Sequence, residues 1–553
     1  MVSAQASEEA EATGLARSTL IMTVGTGLSR VTGLLRVIVL SATLGIAESQ
    51  VASTYNLANT TPNIIYELIL GGILSSIFVP VFVQARKEQG KEAAWHLARL
   101  VLTVAGVGLA VLTLVTMLGS DLIMRLYTLR VDDPAERADQ IRVGGQLLVM
   151  FAPQILFYGL GTVMTGLLNA NRRFGVPMFA PVLNNLTVIA TGVAYYVLTS
   201  GVARDLDTIT LTERLVLGLG TTAGVVVMTM VQWPFLRRIG FRYRPVWQPR
   251  HPALGKMARL SGFTIGYVVV NQLALLVVML LATPIQGGYA AYTYAFIFFQ
   301  LPHGLFAVSV MTALLPPLSE HAVARDWAAF RAELTRGLRL TAFVLIPAAI
   351  GYLALAKPLV ALLLEHGVVQ GASIDLVTRV LVLFVCGLVF FSTFQLVLRA
   401  FFALQDTRTP FLLNIVATAV NIGVDIALYM LLPEGWKVAG LAAGHASGYL
   451  VGSVLLVTAL QRRVGRLDRA RLAGALARIT LASAVMGAAA WAASTGLGAL
   501  LPGGVLRHLA MVLAGVVVGL AVYLAAARLL RVDELRAVLA LVRRRVGRRP
   551  AST

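Results

Sequence analysis

The feature that most constrains this chain is a series of apolar stretches, each about twenty residues long, between residues 19 and 530. A helix of about twenty apolar residues crosses the roughly 30 Å hydrocarbon core of a bilayer. Inside that core a helix satisfies its own backbone hydrogen bonds. The pattern therefore predicts an all-α integral membrane protein with about fourteen transmembrane helices. The spans are expected near 19–45, 52–83, 95–119, 141–169, 177–199, 212–235, 258–283, 287–317, 336–364, 376–404, 410–433, 438–460, 474–496 and 507–530.

Composition excludes a soluble fold. Of 553 residues, 58% are hydrophobic and 13% are charged, whereas soluble domains have roughly 45–50% and 25%. The net charge of +20 would suggest nucleic acid in a soluble protein, but here the basic residues lie between apolar stretches, so no nucleic-acid partner is expected. The single cysteine, Cys386, excludes an intrachain disulfide.

Basic residues concentrate in alternate loops, which the positive-inside rule places in the cytosol. The richest loop contains Arg237, Arg238, Arg242, Arg244 and Arg250. The other set of loops is short or acidic, as at Asp132 and Asp133. With an even number of spans both termini are then cytosolic, and the basic C-terminal tail is expected to lie against anionic membrane lipids.

An internal repeat is visible at a spacing of about 235 residues. The segment 167–177 parallels 401–410, and 76–80 parallels 312–316. The repeat predicts two pseudo-symmetric six-helix bundles related by an axis along the membrane normal, plus two C-terminal helices. The expected organisation is a disordered cytosolic tail (1–16), an N-terminal half (17–236), a basic linker (237–257), a C-terminal half (258–462), a basic loop (463–473), two accessory helices (474–530) and a basic tail (531–553).

No enzymatic pattern is present. The seven histidines are scattered, and there is no H-E-x-x-H, Walker or G-x-S-x-G motif. We therefore expect no catalytic residues, no cofactor and no metal centre. Without an ATP site, transport would draw on ion gradients or on the sidedness of the substrate.

The first span contains two arginines, Arg30 and Arg36. Charges within a span are costly and are functional candidates. The guanidinium group forks onto phosphate oxygens, so the pair suits a diphosphate or another anionic head group. Gly33 is a candidate hinge that turns both toward one cavity, and Ser29 joins the candidate set. The alternative is that both arginines extend to the membrane surface or pair internally.

The second span contains Asn63 and Glu67, both candidate substrate-binding residues. An unpaired carboxylate among apolar residues is very unfavourable. The expected partner of Glu67 is Arg30 or Arg36, which makes Glu67 either a structural counter-ion or a charge that exchanges with substrate. Prolines free backbone groups and bend helices, and the candidate hinges of this kind are Pro62, Pro302 and Gly304.

Asn421 and Asp425 lie four residues apart in the eleventh span and so share one helix face. Their oxygens are suited to a hard cation such as sodium, or the carboxylate to a proton. Asn271 and Gln272 in the seventh span are candidates to complete the site. An interhelical hydrogen bond without an ion is the alternative.

Five motifs occur in order along the chain. They are Ser29-Arg30-Val31-x-Gly33-x-x-Arg36; Pro62-Asn63 through Gly72 to Ser75-x-x-Phe78-Val79-Pro80; Leu167-Leu168-Asn169-Ala170-x-Arg172-Arg173-Phe174-x-Val176-Pro177; Gln300-Leu301-Pro302-x-Gly304-Leu305 with Thr312-x-Leu314-Leu315-Pro316; and Ala403-Leu404-Gln405-Asp406-Thr407-Arg408-Thr409-Pro410. Together they resemble the MurJ (MviN) lipid II flippases of bacterial cell-wall synthesis.

The resemblance implies a MOP exporter fold in the bacterial inner (cytoplasmic) membrane. It implies that undecaprenyl-diphosphate-linked disaccharide-pentapeptide moves from the inner to the outer leaflet, with cell-wall synthesis proteins as partners. Arg30 and Arg36 match the family's cavity arginines. At two further positions where many members have arginine, this chain has Tyr66 or its neighbour Glu67, and Ile297, which leaves a less positive cavity.

Two other functions remain open at this point. One is a MOP-type exporter of drugs or of another polyprenyl-linked saccharide; flat or cationic drugs would favour an acidic, aromatic cavity, unlike the paired arginines. The other is a membrane scaffold that recruits cell-wall enzymes through its basic loops, for which the loop 236–258 would be essential and the arginines of the first span would not.

Overall fold

The computed structural model describes residues 24–69 and 78–536, and the regular structure within these ranges is helical. The helices are α1 (Val24–Leu44), α2 (Val51–Ile69), α3 (Val79–Glu88), α4 (Lys91–Leu118), α5 (Ser120–Tyr127), α6 (Pro134–Phe151), α7 (Pro153–Ala170), α8 (Gly175–Leu198), α9 (Leu211–Met230), α10 (Trp233–Arg238), α11 (Pro252–Ala282), α12 (Gly288–Pro302), α13 (Val308–Val323), α14 (Trp327–Leu364), α15 (Gly371–Cys386), α16 (Leu388–Ala403), α17 (Arg408–Leu431), α18 (Glu434–Val464), α19 (Arg469–Leu500) and α20 (Val505–Leu529). A π-helical turn, His303–Ala307, joins α12 to α13.

Within the described residues, twelve helical segments are long and apolar enough to cross a membrane, and the bent pair α15–α16 makes thirteen. The remaining expected span, 52–83, contains α2 and the start of α3, and residues 70–77 between them lie outside the described part of the chain. The expected tail 1–16 and most of the tail 531–553 lie outside it as well.

Helix starts follow local sequence. Thr210 and Glu213 form a capping box at the start of α9, each side chain bonded to the other's backbone N–H. Asp133, Asp326 and Asp468 cap α6, α14 and α19 by accepting from backbone N–H groups of the first turn. These caps fix where the long apolar helices begin.

The helix boundaries confirm the internal repeat. The span formed by α6 and α7 is interrupted before Pro153, and the span formed by α15 and α16 is interrupted before Leu388, 235 residues later. The turns that follow contain Arg172 (φ 56°) and Gln405 (φ 58°), 233 residues apart. A positive φ is uncommon in residues other than glycine, so its occurrence at equivalent turns of the two spans supports the repeat.

The described chain forms two compact units. The first consists of residues within Met1–Ala290 together with His366–Val369, and the second of Ala291–Glu365 with residues from Gln370 onward. In the first unit a buried aromatic cluster includes Phe82, Trp95 and Phe241. The ring centroid of Trp95 lies 5.6 Å from that of Phe82 and 5.3 Å from that of Phe241. In the second unit a buried cluster joins α14, α19 and α20, and the Tyr523 hydroxyl donates to the Phe343 carbonyl at 2.7 Å.

An ion-pair cluster fixes the end of α20 to α14 in the second unit. Arg339 of α14 pairs with Asp533 at 3.2 Å and, through its Nε, with Glu534. The Arg339 and Glu534 side chains are only 10% and 5% exposed. The chain after α20 is thereby attached to a helix almost two hundred residues earlier, and we call this cluster the C-terminal clamp.

The turn between α16 and α17 has its own polar network. Asp406 Oδ1 accepts from the Thr409 backbone N–H at 3.0 Å, and Oδ2 lies 2.6 Å from Arg463 Nη1. Burial raises the pKa of Asp406, but the hydrogen bonds from Thr409 and the charge of Arg463 outweigh it, so the pKa lies below its usual value. The carboxylate is therefore ionised at neutral pH and stabilises this turn.

Candidate functional site

The polar stretch of α1 is held by α8 in the first unit. Asn185 Nδ2 donates to the Ser29 carbonyl at 3.2 Å and to the Thr32 hydroxyl at 3.1 Å. Gly33 lies against the same amide, which would be 3.5 Å from a Cβ added there. These contacts set the rotation of α1 and so the directions in which its two arginines point.

Arg36 lies beside two tyrosines. It is half-buried, within hydrogen-bonding range of the Tyr55 hydroxyl and close to Tyr158. Tyr55 is buried and is bonded to Thr221 Oγ1 at 2.8 Å. Its hydroxyl oxygen can accept from a guanidinium, so the site orients Arg36 without neutralising it.

Neither arginine of α1 makes an ion pair with any residue that the structure describes. Arg30 is exposed and Arg36 is half-buried. Two positive charges within a membrane-spanning helix without a protein counter-ion favour an anionic ligand, and the forked guanidinium geometry suits phosphate oxygens.

Glu67 has a partner different from the one expected. Its Oε2 accepts a hydrogen bond from Gln272 Nε2 of α11 at 2.8 Å, and no ion pair with Arg30 or Arg36 is formed within the described chain. The reason is that α11 packs against α2, which brings an amide to the carboxylate. Glu67 itself is exposed.

Tyr66 lies at one of the two positions where the family resemblance led us to expect arginine. Its ring lies against Tyr158 with centroids 4.5 Å apart, and its hydroxyl lies close to Thr162. It lines a cavity of about 200 Å³ in the first unit, together with Asn169, whose Oδ1 is buried without a described partner. This wall of the site is therefore polar and aromatic but uncharged.

The other candidates of α2 and the hinges have local roles. Asn63 Nδ2 donates to the Asn59 carbonyl one turn earlier, at 2.8 Å, so its amide is engaged within its own helix. Pro62 lies inside α2. Pro302 ends α12, and Gly304 lies in the π-helical turn. Such turns locally distort a helix and are frequent at functional sites.

Asp425 and Asn421 form a buried oxygen cluster in the second unit. Asp425 is fully buried, and neither of its carboxylate oxygens, nor Asn421 Oδ1, has a hydrogen-bond partner among the described groups. A buried carboxylate without partners is unfavourable unless it is protonated or bound to a cation. The donor set of carboxylate and amide oxygens fits a hard cation.

A row of glycines on α18 creates this burial. Gly440, Gly444, Gly448 and Gly452 lie at four-residue intervals and face α17 or its neighbours. A Cβ on Gly444 would lie 2.0 Å from Asp425 Oδ1, and one on Gly448 would lie 2.8 Å from the Asn421 Cβ. Small residues allow such close helix contact within membranes.

Asn271, the remaining candidate, and His303, in the π-helical turn, each have a partner within their own unit. Asn271 of α11 belongs to the first unit, where it is bonded to Tyr267. His303 is bonded through Nδ1 to Ser392 Oγ at 2.9 Å and packs on Phe391, a structural arrangement. Sequence reasoning missed the tyrosines around Arg36, because nothing in the local pattern of α2 or α7 distinguishes them from other apolar positions.

Comparison with known proteins gives a consistent result. A family model described as lipid II flippase MurJ matches residues 40–513. The lipid II flippase MurJ of Burkholderia cenocepacia is 30% identical over 455 residues, which cover 81% of this chain and 84% of that protein. The probable lipid II flippase MurJ of Vibrio cholerae is 28% identical over 533 residues, covering 95% of this chain and 98% of that protein.

Solved structures show the same fold. The structure of lipid II flippase MurJ in an inward closed conformation aligns with a TM-score of 0.74 at 22% identity, covering 92% of this chain and 99% of that chain. A multidrug resistance MATE family transporter of the MOP superfamily, in an inward-facing conformation, aligns with a TM-score of 0.64 at 14% identity, covering 80% and 95%. The predicted MOP exporter fold is confirmed, and the chain belongs to the MurJ family of lipid II flippases.

Proposed function

We propose that this chain translocates lipid II, the undecaprenyl-diphosphate-linked peptidoglycan precursor, from the inner to the outer leaflet of the bacterial cytoplasmic membrane. Membership of the MurJ family supports the substrate. The structural observation that carries the proposal is the arginine pair of α1, which has no counter-ion among the described residues. A diphosphate supplies the missing negative charge.

Residues of the first unit bind the diphosphate. Arg36, oriented by the Tyr55 hydroxyl, holds phosphate oxygens, and Arg30 adds a second positive charge on the same helix. Tyr66 in place of arginine contributes an aromatic surface and a hydroxyl instead of charge. The diphosphate therefore depends on the α1 pair more strongly than in relatives with additional arginines.

We further propose secondary transport by alternating access, with no ATP site. Asp425 and Asn421 are the candidate residues for a coupling sodium ion or proton, supported by their buried, unpartnered oxygens. A bound cation or proton would neutralise the buried carboxylate of Asp425. Asn271 remains a candidate only by its place in the sequence.

The distribution of basic loops supports cytosolic termini and anionic lipids as neighbours of the basic tail. Cell-wall synthesis proteins remain proposed partners on the basis of family membership alone.

The test is rescue of a strain depleted of its own flippase, combined with measurement of lipid II accessible at the outer surface. Arg30→Ala and Arg36→Ala should each abolish rescue at normal expression. Arg36→Lys should rescue only weakly, since lysine lacks the forked geometry. Full rescue by both alanine variants would refute the binding role.

A matched control separates the scaffold alternative. Arg244 and Arg250 are exposed in the basic linker, and replacing both by alanine removes two charges, as many as the double variant Arg30→Ala/Arg36→Ala. The flippase proposal expects normal outer-leaflet lipid II in this variant. A scaffold predicts the reverse pattern, with the linker variant inactive and the α1 variants active.

A further inference from the structure

A second polar cavity lies in the second unit and is distinct in its residues from the Asp425 cluster. It has a volume of about 570 Å³ and is bounded by the start of α14, the turn between α18 and α19, and the segment after α20. Its charged lining consists of Arg331, Arg336, Arg339, Arg466, Asp468, Arg471, Asp533 and Glu534. We call it the arginine cavity. Five arginines face three acids, which leaves an excess of positive charge.

Three of the five arginines already have partners. Arg339 is neutralised in the C-terminal clamp. Arg336 lies 3.6 Å from Glu333, and Arg331 donates to the Val464 carbonyl. The contacts of Arg339 use its charge within the protein, whereas Arg331 and Arg336 keep further N–H donors.

Arg466 and Arg471 are different. Both are exposed, and no ion pair or side-chain hydrogen bond is formed by either guanidinium with the residues that the structure describes. Asp468, between them in sequence, is engaged in capping α19 through the Arg471 backbone N–H at 3.0 Å. The two free guanidinium groups thus line one cavity and supply about ten donor hydrogens.

The sequence that follows the acids of the cavity adds no further counter-ion. Glu534 is the last acidic residue, and the tail that follows contains Arg543, Arg544, Arg545, Arg548 and Arg549. These residues therefore contain no acid, and an external anion suits the excess positive charge of the cavity.

We propose that the arginine cavity binds a phosphate group through Arg466 and Arg471. Planar guanidinium groups bind phosphate by paired hydrogen bonds. Basic pockets between membrane helices on the cytosolic side are suited to lipid head groups. The same chemistry is offered by a phospholipid head group and by soluble phosphate, and the experiment distinguishes them.

The test uses the full chain purified in detergent, with binding measured by native mass spectrometry. The probes are short-chain phosphatidylethanolamine, short-chain phosphatidylglycerol and inorganic phosphate. Arg466→Ala/Arg471→Ala should weaken lipid binding about tenfold or more for each arginine removed. The control, Arg462→Ala/Arg469→Ala, removes two arginines of the same region that do not line the cavity, and its binding should stay within about twofold of the original chain.

The three probes distinguish a phospholipid head group from a soluble phosphate as the ligand. Lipid binding that inorganic phosphate does not displace supports a head-group site. Displacement at comparable concentration supports a phosphate site for soluble ligands. Binding unchanged in Arg466→Ala/Arg471→Ala, or weakened equally in the control, overturns the proposal. Arg466→Lys/Arg471→Lys keeps the charge but loses the fork, and it should bind with intermediate strength, which checks that loss in the alanine variant does not come from misfolding.

Discussion

Arg339→Ala removes the central cation of the C-terminal clamp. The Glu534 side chain is 5% exposed and pairs with Arg339, whose side chain is 10% exposed. Deleting one member of a buried ion pair leaves the other charge uncompensated and costs about 3–5 kcal/mol. Arg336, three residues earlier, is 64% exposed and lies 3.6 Å from Glu333. Its replacement by alanine should cost about 0–1 kcal/mol.

The two variants form a matched pair, since each removes one arginine from the same helix. Melting in detergent, followed by tyrosine and tryptophan fluorescence, should show a clear loss of thermal stability for Arg339→Ala and almost none for Arg336→Ala. Hydrogen exchange should rise selectively in residues 523–536. The double variant Arg339→Met/Glu534→Leu should recover most of the stability, because an apolar pair of similar volume replaces a buried ion pair with little loss. Equal melting of Arg339→Ala and Arg336→Ala would refute the reasoning.

Three further outcomes are expected. Asp425→Asn keeps the side-chain shape but not the charge, so it should remove the cation dependence of lipid II transport in vesicles; an unchanged dependence would exclude the proposed coupling site. Gly444→Ala places a Cβ 2.0 Å from Asp425 Oδ1, and overpacking should cost about 1–3 kcal/mol. Gly423→Ala meets nothing within 4 Å and should gain up to about 1 kcal/mol, so equal melting temperatures would contradict the packing. Asp406→Asn should lower the melting temperature at neutral pH. Because the folded pKa of Asp406 is depressed, the difference should begin to shrink at about pH 4, the usual pKa of the unfolded carboxyl, and disappear as the pH falls through the lower folded pKa. A difference that persists below that pH would rule out the ion pair with Arg463.

The sequence was sufficient for features that depend on local pattern. Apolar length predicted the spans, and the recurrence near residues 170 and 403 predicted the repeat that the helix ends confirm. Charge within a span identified Arg36, and four-residue spacing identified Asn421 with Asp425. The spans and the repeat are accessible to sequence reasoning because hydropathy and helical periodicity are properties of neighbouring residues. The roles of Arg36, Asn421 and Asp425 stay predictions.

Features that depend on distant partners were not predictable. The Tyr55 and Tyr158 neighbours of Arg36 come from other helices and have no distinguishing pattern. The Glu67 carboxylate accepts a hydrogen bond from the Gln272 amide because α11 packs on α2. No pattern within either helix indicates that the two helices pack together. The C-terminal clamp joins residues 195 apart. Its only sequence signal was the acidic pair Asp533-Glu534 ahead of a basic tail.

The two repeated spans are broken at matching positions but by different chemistry. The break before α7 is at Pro153, whose ring fixes φ and whose missing N–H removes a helical hydrogen bond. The break before α16 is at Gly387, where α15 and α16 are bent by 47° and a Cβ would meet Ala446 at 2.7 Å. A proline joint is stiff, whereas a glycine joint can straighten or bend further. The two spans therefore share a joint position but differ in stiffness, and the span with glycine is the one able to supply the larger angular change.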